Sequence, residues 1–200
     1  MIEIKEDAPL FASPLFMRTL DLPDISSFVL DMSSSTKGQH QTNIGGWQSP
    51  MFHNPIDPII DPIWDAIENQ CNACHTQLGL TGRVRIQSMW FNVNSKGNFN
   101  WRHAHIGSVH SGTYYVKAPP TSGDLIFFNP NDLSALSSWI RVLPTGSESN
   151  NIIQAVRQDE VYVKPYKNLF LMFPSWLEHS VKPNETDEKR ISVAFDLGIA

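Results

Sequence analysis

Between Pro58 and Leu80 the apolar residues Ile59, Ile60, Ile63, Ile67, Cys71, Cys74 and Leu78 recur mainly at spacings of three and four. That is the period of one buried helix face, and Asp61 followed by Pro62 suits a helix start. The pattern predicts a helix over this stretch. Beyond Gly82 the period changes. Runs of β-branched and aromatic residues follow at Val84–Val93, Gly112–Val116, Asp124–Phe128, Val161–Val163, Asn168–Phe173 and Ile191–Phe195. Turn-forming residues separate them, as in Asn94-Ser95-Lys96-Gly97, Pro119-Pro120 and Asn129-Pro130-Asn131.

The first 80 residues are less regular. The apolar patch Pro9–Phe16 contains prolines, which suits an edge strand or an extended entry. Leu20–Met32 predicts a short helix, and the polar stretch Ser33–Gly46 a loop. Six or more strands after N-terminal helices predict a mainly β fold, a double-sheet jelly roll. The expectation is one domain over residues 1–200. In it 1–80 form a helical and extended support, and 81–200 form the jelly-roll core. Pro130–Asn151 is expected to be an insertion or a mobile lid.

Composition narrows the class. Hydrophobic residues make up 41% of the 200 and charged residues 18%, which is globular rather than disordered. A net charge of -5 argues against a broad nucleic-acid-binding face. No run approaches the roughly 20 apolar residues of a membrane span. The acidic start, Met1 to Asp7, is unlike a signal peptide, so a cytoplasmic protein is expected. The two cysteines form Cys71-Asn72-Ala73-Cys74-His75, which matches the c-type haem attachment pattern. That attachment normally occurs outside the cytoplasm. The segment lies within the expected helix, where Cys and Ala serve as small packing residues, and packing is the preferred reading. No disulfide is expected in a reducing compartment.

Candidate chemistry centres on the histidines. His103 and His105 are two apart, and on a strand they share a face and can reach one ion. Imidazole suits iron, zinc, copper or nickel. His179 follows the apolar run ending Phe173-Pro174-Ser175-Trp176-Leu177-Glu178, and a jelly roll can bring it beside the pair. Arg190-Ile191-Ser192 then opens another strand. An arginine there can clamp a dicarboxylate bidentately, with the Ser192 hydroxyl on the same face. Lys189 competes as the anchor, but offers a point charge on the opposite face. Taken singly, each feature has a bland reading: a hydrogen-bonded histidine, a surface arginine.

Taken together, His103-Ala104-His105, His179 and Arg190-Ile191-Ser192 resemble the iron and 2-oxoglutarate dioxygenases, whose pattern is HxD/E, then H, then RxS or R alone. Trp90–Gly97 with Trp101-Arg102-His103 looks like the strand-turn-strand that leads into the metal loop of prolyl hydroxylases. Ser111–Val116 looks like their Tyr-Tyr strand, and Ser122–Phe127 like the strand after it. The similarity is closer to a group of 2-oxoglutarate/iron oxygenases of marine bacteria and their phages. There Asn100-Trp101 with His103 and His105 precedes a Ser-Gly-x-Tyr-Tyr strand, and Phe173–His179 precedes an Arg-x-Ser strand. Gly45-Gly46-Trp47-Gln48-Ser49 looks like that group's N-terminal region. The resemblance touches most of the chain and is most specific over residues 90–196.

The resemblance implies a non-haem Fe(II) and 2-oxoglutarate-dependent dioxygenase. It would hydroxylate an unidentified small-molecule or peptidyl substrate, releasing succinate and carbon dioxide. It implies Fe(II) on His103, His105 and His179, and the 2-oxoglutarate carboxylate on Arg190, Ser192 and the Tyr115 hydroxyl. No catalytic residue beyond the metal ligands is implied. His110, Trp101 and Trp176 are candidate pocket residues, with Trp90 and Phe128 as further walls. His105 stands where the wider pattern has a carboxylate. Three arrangements remain: His105 as the third ligand, which is the expectation; His105 outside the coordination sphere, with His110 or water completing it; or a preference for another metal. The alternative from another class is a non-catalytic, metal-binding, cupin-like jelly-roll module, which has no need of Arg190-Ile191-Ser192. No membrane or nucleic-acid partner is expected, and a homodimer is the base-rate oligomer.

Overall fold

The computed structural model describes residues 13–39, 41–130 and 160–200. Of the stretch expected to be an insertion or lid, everything after Pro130 lies outside the described residues, as does the first half of the Pro9–Phe16 patch. The chain runs β1 (Phe16–Thr19), α1 (Ser26–Ser35), β2 (Asn43–Ile44), β3 (Trp47–Gln48), α2 (Asp61–Gln77), β4 (Val84–Asn94), β5 (Phe99–His103), β6 (His110–Lys117), β7 (Leu125–Phe128), β8 (Glu160–Val163), β9 (Leu169–Pro174), β10 (His179–Val181) and β11 (Arg190–Ile199).

The strands form two antiparallel sheets. The major sheet has the order β1-β9-β6-β11-β4-β3, and the minor sheet β2-β5-β10-β7-β8. This is the double-stranded β-helix, or jelly roll, with helices backing one face. Two apolar clusters explain the long buried runs in β4, β9 and β11. One joins Ile63, Ile67, Cys71 and Cys74 of α2 to Phe91, Val193 and Phe195. The other joins Tyr115, Leu171 and Phe173 of the major sheet to Leu125, Phe127 and Val163 of the minor one. The major sheet is therefore covered on both faces, and its strands read as nearly continuous apolar runs rather than alternating ones.

Parity along β11 decides what each residue meets. Ile191, Val193, Phe195 and Leu197 enter the cluster shared with the helices. Arg190, Ser192 and Ala194 line the cavity between the sheets.

The helix expected over Pro58–Leu80 is α2, trimmed to Asp61–Gln77 with Pro62 in its first turn. The other helix runs to Ser35, past the expected end at Met32. In this last turn the Ser33, Ser34 and Ser35 hydroxyls donate back to the Leu30 and Asp31 carbonyls. The Ser33–Gly46 stretch also contributes β2, which pairs with β5. Cys71 and Cys74 are free thiols, fully buried in the helix–sheet core, which is the packing reading of that segment. Among the described residues no helix is long and apolar enough to cross a membrane.

Candidate metal centre

Two of the three histidines are placed by strand pairing. His103 ends β5 and His179 opens β10, and the two are direct partners in the minor sheet. Their ring centroids are 4.4 Å apart. His105 comes from a different device than the strand alternation expected for it. The strand ends at His103, and the chain then turns. The His105 backbone N–H donates to the Ser175 carbonyl at 2.8 Å. Its ring lies parallel to His179, with centroids 5.2 Å apart, and stacks on Trp90 at 5.7 Å. One ligand atom from each of the three histidines lies within 4.8 Å of the others.

The opposite nitrogen of every ring is already engaged. His103 Nδ1 donates to the Trp101 carbonyl at 2.6 Å, and His179 Nδ1 to the Leu177 carbonyl at 2.9 Å. His105 Nδ1 faces the Asp196 carboxylate, 2.9 Å from Oδ1 and 3.2 Å from Oδ2. A ring nitrogen facing a carbonyl must carry the proton, so Nε2 keeps a free lone pair. Burial, followed by the neighbouring His103, pushes His179 down to about 3, and burial also lowers His103. Both are neutral at pH 7, the state that a metal ligand requires. Three imidazoles whose ligand atoms converge fit iron.

The same cavity extends to Arg190. This guanidinium is 2% exposed. Its Nη1 donates to the Ser122 carbonyl at 2.5 Å and weakly to the Gly123 carbonyl at 3.4 Å. No carboxylate pairs with it among the described residues. Burial alone lowers its affinity for the proton, yet an arginine stays charged in proteins. Lys189, the competing anchor, is exposed and precedes the strand. Gly123 makes the space: its φ is +98°, and a Cβ there would sit 2.8 Å from the Arg190 guanidinium and 2.2 Å from the Lys182 carbonyl. Ser192 and Tyr115 are cross-strand partners beside it, and both line the cavity. Burial raises the Tyr115 phenol, which therefore remains a donor.

Other expected residues fall elsewhere. Trp90 lines the cavity; Trp101, Trp176, Phe128 and His110 do not. Trp101 and Trp176 are more than half exposed. Arg102 covers the Phe128 ring. His110 faces α2, where its Nε2 pairs with His75 Nδ1 at 3.0 Å, so it does not complete the histidine set. Its own Nδ1 is buried without a partner. Gln48 and Asn92 line the cavity although the resemblance quoted for their segments gave them no role, and no motif named Asp196. For Asp196 a signal existed: it continues the alternate positions that begin at Arg190 and Ser192.

A protein family described as "Putative 2OG-Fe(II) oxygenase" matches residues 88–196, more than half of the chain. The chain belongs to this family. Fe(II) and 2-oxoglutarate are the cofactors of the 2OG-Fe(II) oxygenases, and the histidine set fits the iron. Solved structures share the fold across nearly the whole chain. A prolyl-4-hydroxylase from Pseudomonas putida is 14% identical over 96% of this chain and 95% of its own, with a TM-score of 0.62. HygX from Streptomyces hygroscopicus, solved with nickel and 2-oxoglutarate, is 10% identical over 94% and 84%, with a TM-score of 0.58. The α-ketoglutarate-dependent epimerase SnoN from nogalamycin biosynthesis is 11% identical over 94% and 79%, with a TM-score of 0.60. At such identities the likeness is one of fold. No curated protein matches the chain.

Proposed function

We propose that this 2OG-Fe(II) oxygenase is a dioxygenase that hydroxylates a small-molecule or peptidyl substrate, with residues 1–200 acting as one domain. The observation that carries the reading is Arg190, a buried cation without a counter-anion among the described residues, in the cavity that the three histidines also line. Burying a charge without a partner is costly, so a site that keeps one is built for an anionic ligand.

Each residue then has a task. His103, His105 and His179 present Nε2 to the metal, held in that tautomer by their Nδ1 partners. Arg190 offers Nε and Nη2, which donate to nothing among the described residues, to the distal carboxylate of 2-oxoglutarate. Ser192 and Tyr115 add hydroxyl donors beside it. When bound, Fe(II) and 2-oxoglutarate supply the oxidising step on dioxygen, with release of succinate and carbon dioxide. Trp90, Leu125 and Phe173 wall the cavity against water, while Gln48, Asn92, Asn100 and Thr113 give it uncharged polar groups that orient a substrate without adding charge.

A non-catalytic, metal-binding jelly-roll module would leave the buried Arg190 without a purpose. The test is direct. Anaerobic addition of Fe(II) and 2-oxoglutarate should give a weak visible charge-transfer band, and admitting air should produce succinate. Absence of both would remove the reading.

A further inference from the structure

His105 occupies the position at which the wider HxD/E pattern places a carboxylate, and a carboxylate stands directly behind it. Asp196 reaches His105 Nδ1 with both oxygens, at 2.9 and 3.2 Å. The Ser111 hydroxyl donates to Asp196 Oδ1 at 2.6 Å. Neither Lys nor Arg pairs with Asp196 among the described residues, so its charge is committed to the imidazole. Both side chains are 13% exposed, which keeps water from screening the pair. The sheet is irregular at this point: β4 carries an extra residue, Gln87, opposite the Asp196–Leu197 step. Such bulges re-aim side chains beside active sites. The contrast with the other two histidines is chemical, since His103 and His179 donate Nδ1–H to neutral backbone carbonyls.

We infer that Asp196 is the positioning residue that makes His105 a metal ligand, and that it supplies through the imidazole the negative charge that a directly bound carboxylate would otherwise bring. This rests on the metal centre proposed above. A carboxylate accepting Nδ1–H fixes the tautomer and ring orientation, and it makes Nε2 a stronger donor. In charge terms, a dication with three neutral imidazoles is left at +2. With one carboxylate hydrogen-bonded to a ligand the local sum is +1, as it is for two histidines and a bound carboxylate. Ser111 holds the carboxylate in place from β6.

The competing account is structural: Asp196 and Ser111 are register partners, and their hydrogen bond ties β11 to β6. Co(II) titrations separate the two, with dissociation constant, visible d–d spectrum and metal-free melting temperature as readouts. D196N should weaken Co(II) binding by about 10- to 100-fold and shift the d–d bands. H105D alone sets two carboxylates side by side, whereas H105D/D196N restores the charge count and should bind Co(II) more tightly than D196N. Wild-type affinity and an unshifted spectrum in D196N would overturn the inference. Should D196N not fold, D196E decides, because it keeps the charge but moves it by one methylene. Weakened binding with shifted bands supports the inference, and wild-type behaviour overturns it. Failure of the wild-type protein to bind Co(II) would instead overturn the metal centre itself.

Discussion

His103 and His179 are register partners on neighbouring antiparallel strands, so the pairing of β5 with β10 brings two imidazoles together before any metal is present. Two of the three ligands are thus placed by sheet register, and His105 follows beyond the strand end. Removing either ring leaves only two nitrogen ligands. His179→Ala should weaken Co(II) or Fe(II) binding by more than about 100-fold, beyond the range for losing an outer hydrogen-bond partner. Calorimetric titration checks this, and near-wild-type affinity would remove His179 from the ligand set.

Arg190→Ala should abolish the dicarboxylate clamp while leaving the histidines intact. Truncating one partner of a buried charge pair costs about 2–5 kcal/mol. That corresponds to a rise of about 30- to 4000-fold in the 2-oxoglutarate needed to half-saturate the charge-transfer band. Arg190→Lys keeps the charge but not the fork, and should fall between the two. An unchanged midpoint in Arg190→Ala would show that the anchor lies elsewhere.

Gly123→Ala tests the space around that guanidinium. The new methyl would meet the Lys182 carbonyl at 2.2 Å and Arg190 at 2.8 Å, on a backbone with φ of +98°. Strain of this kind costs about 1–3 kcal/mol. The variant should melt lower and bind 2-oxoglutarate more weakly, with metal affinity largely kept. Equal loss of metal and 2-oxoglutarate binding would point to a general collapse rather than a local one.

The buried histidines set a pH dependence for the metal-free protein. His179 is held down to about 3 by burial, and His103 is lowered by the same cause. Below the ordinary histidine value near 6.5 the unfolded chain takes up protons that the folded one refuses. Stability is therefore fully present above about pH 6.5 and falls as pH drops toward 3, by at most about 1.4 kcal/mol per pH unit for one such group. Denaturant unfolding between pH 7 and 4 measures the slope, and His179→Gln should flatten it. A flat profile in the wild-type protein would contradict the burial of these rings.

Much of this was legible from periodicity and motif. The α2 helix announces itself by spacings of three and four, and the longer strands by aromatic and β-branched runs. Strands β2, β3 and β10 are two or three residues long, too short for any period to register. They are defined by their partners instead. His110 illustrates the limit at the site. Its place in the chain, five residues from His105, suggested the pocket, but it points to the other face of the sheet and pairs with His75. Trp101 and Trp176 lie in the right segments, yet strand and turn geometry turns them outward. The place of Asp196 in the alternate series from Arg190 marks the face it shares, but not the His105 ring it meets, which comes from a distant segment.

The alternation along β11 has a consequence for how the protein can vary. Arg190, Ser192, Ala194 and Asp196 occupy successive same-face positions, each step about 6.6 Å. The strand is a ruler: the span from the clamp for one end of a dicarboxylate to the carboxylate behind His105 is fixed in whole backbone units, not by adjustable rotamers. Inserting one residue would exchange the two faces. Ile191, Val193 and Phe195 would then point into the cavity, and a guanidinium into the apolar core.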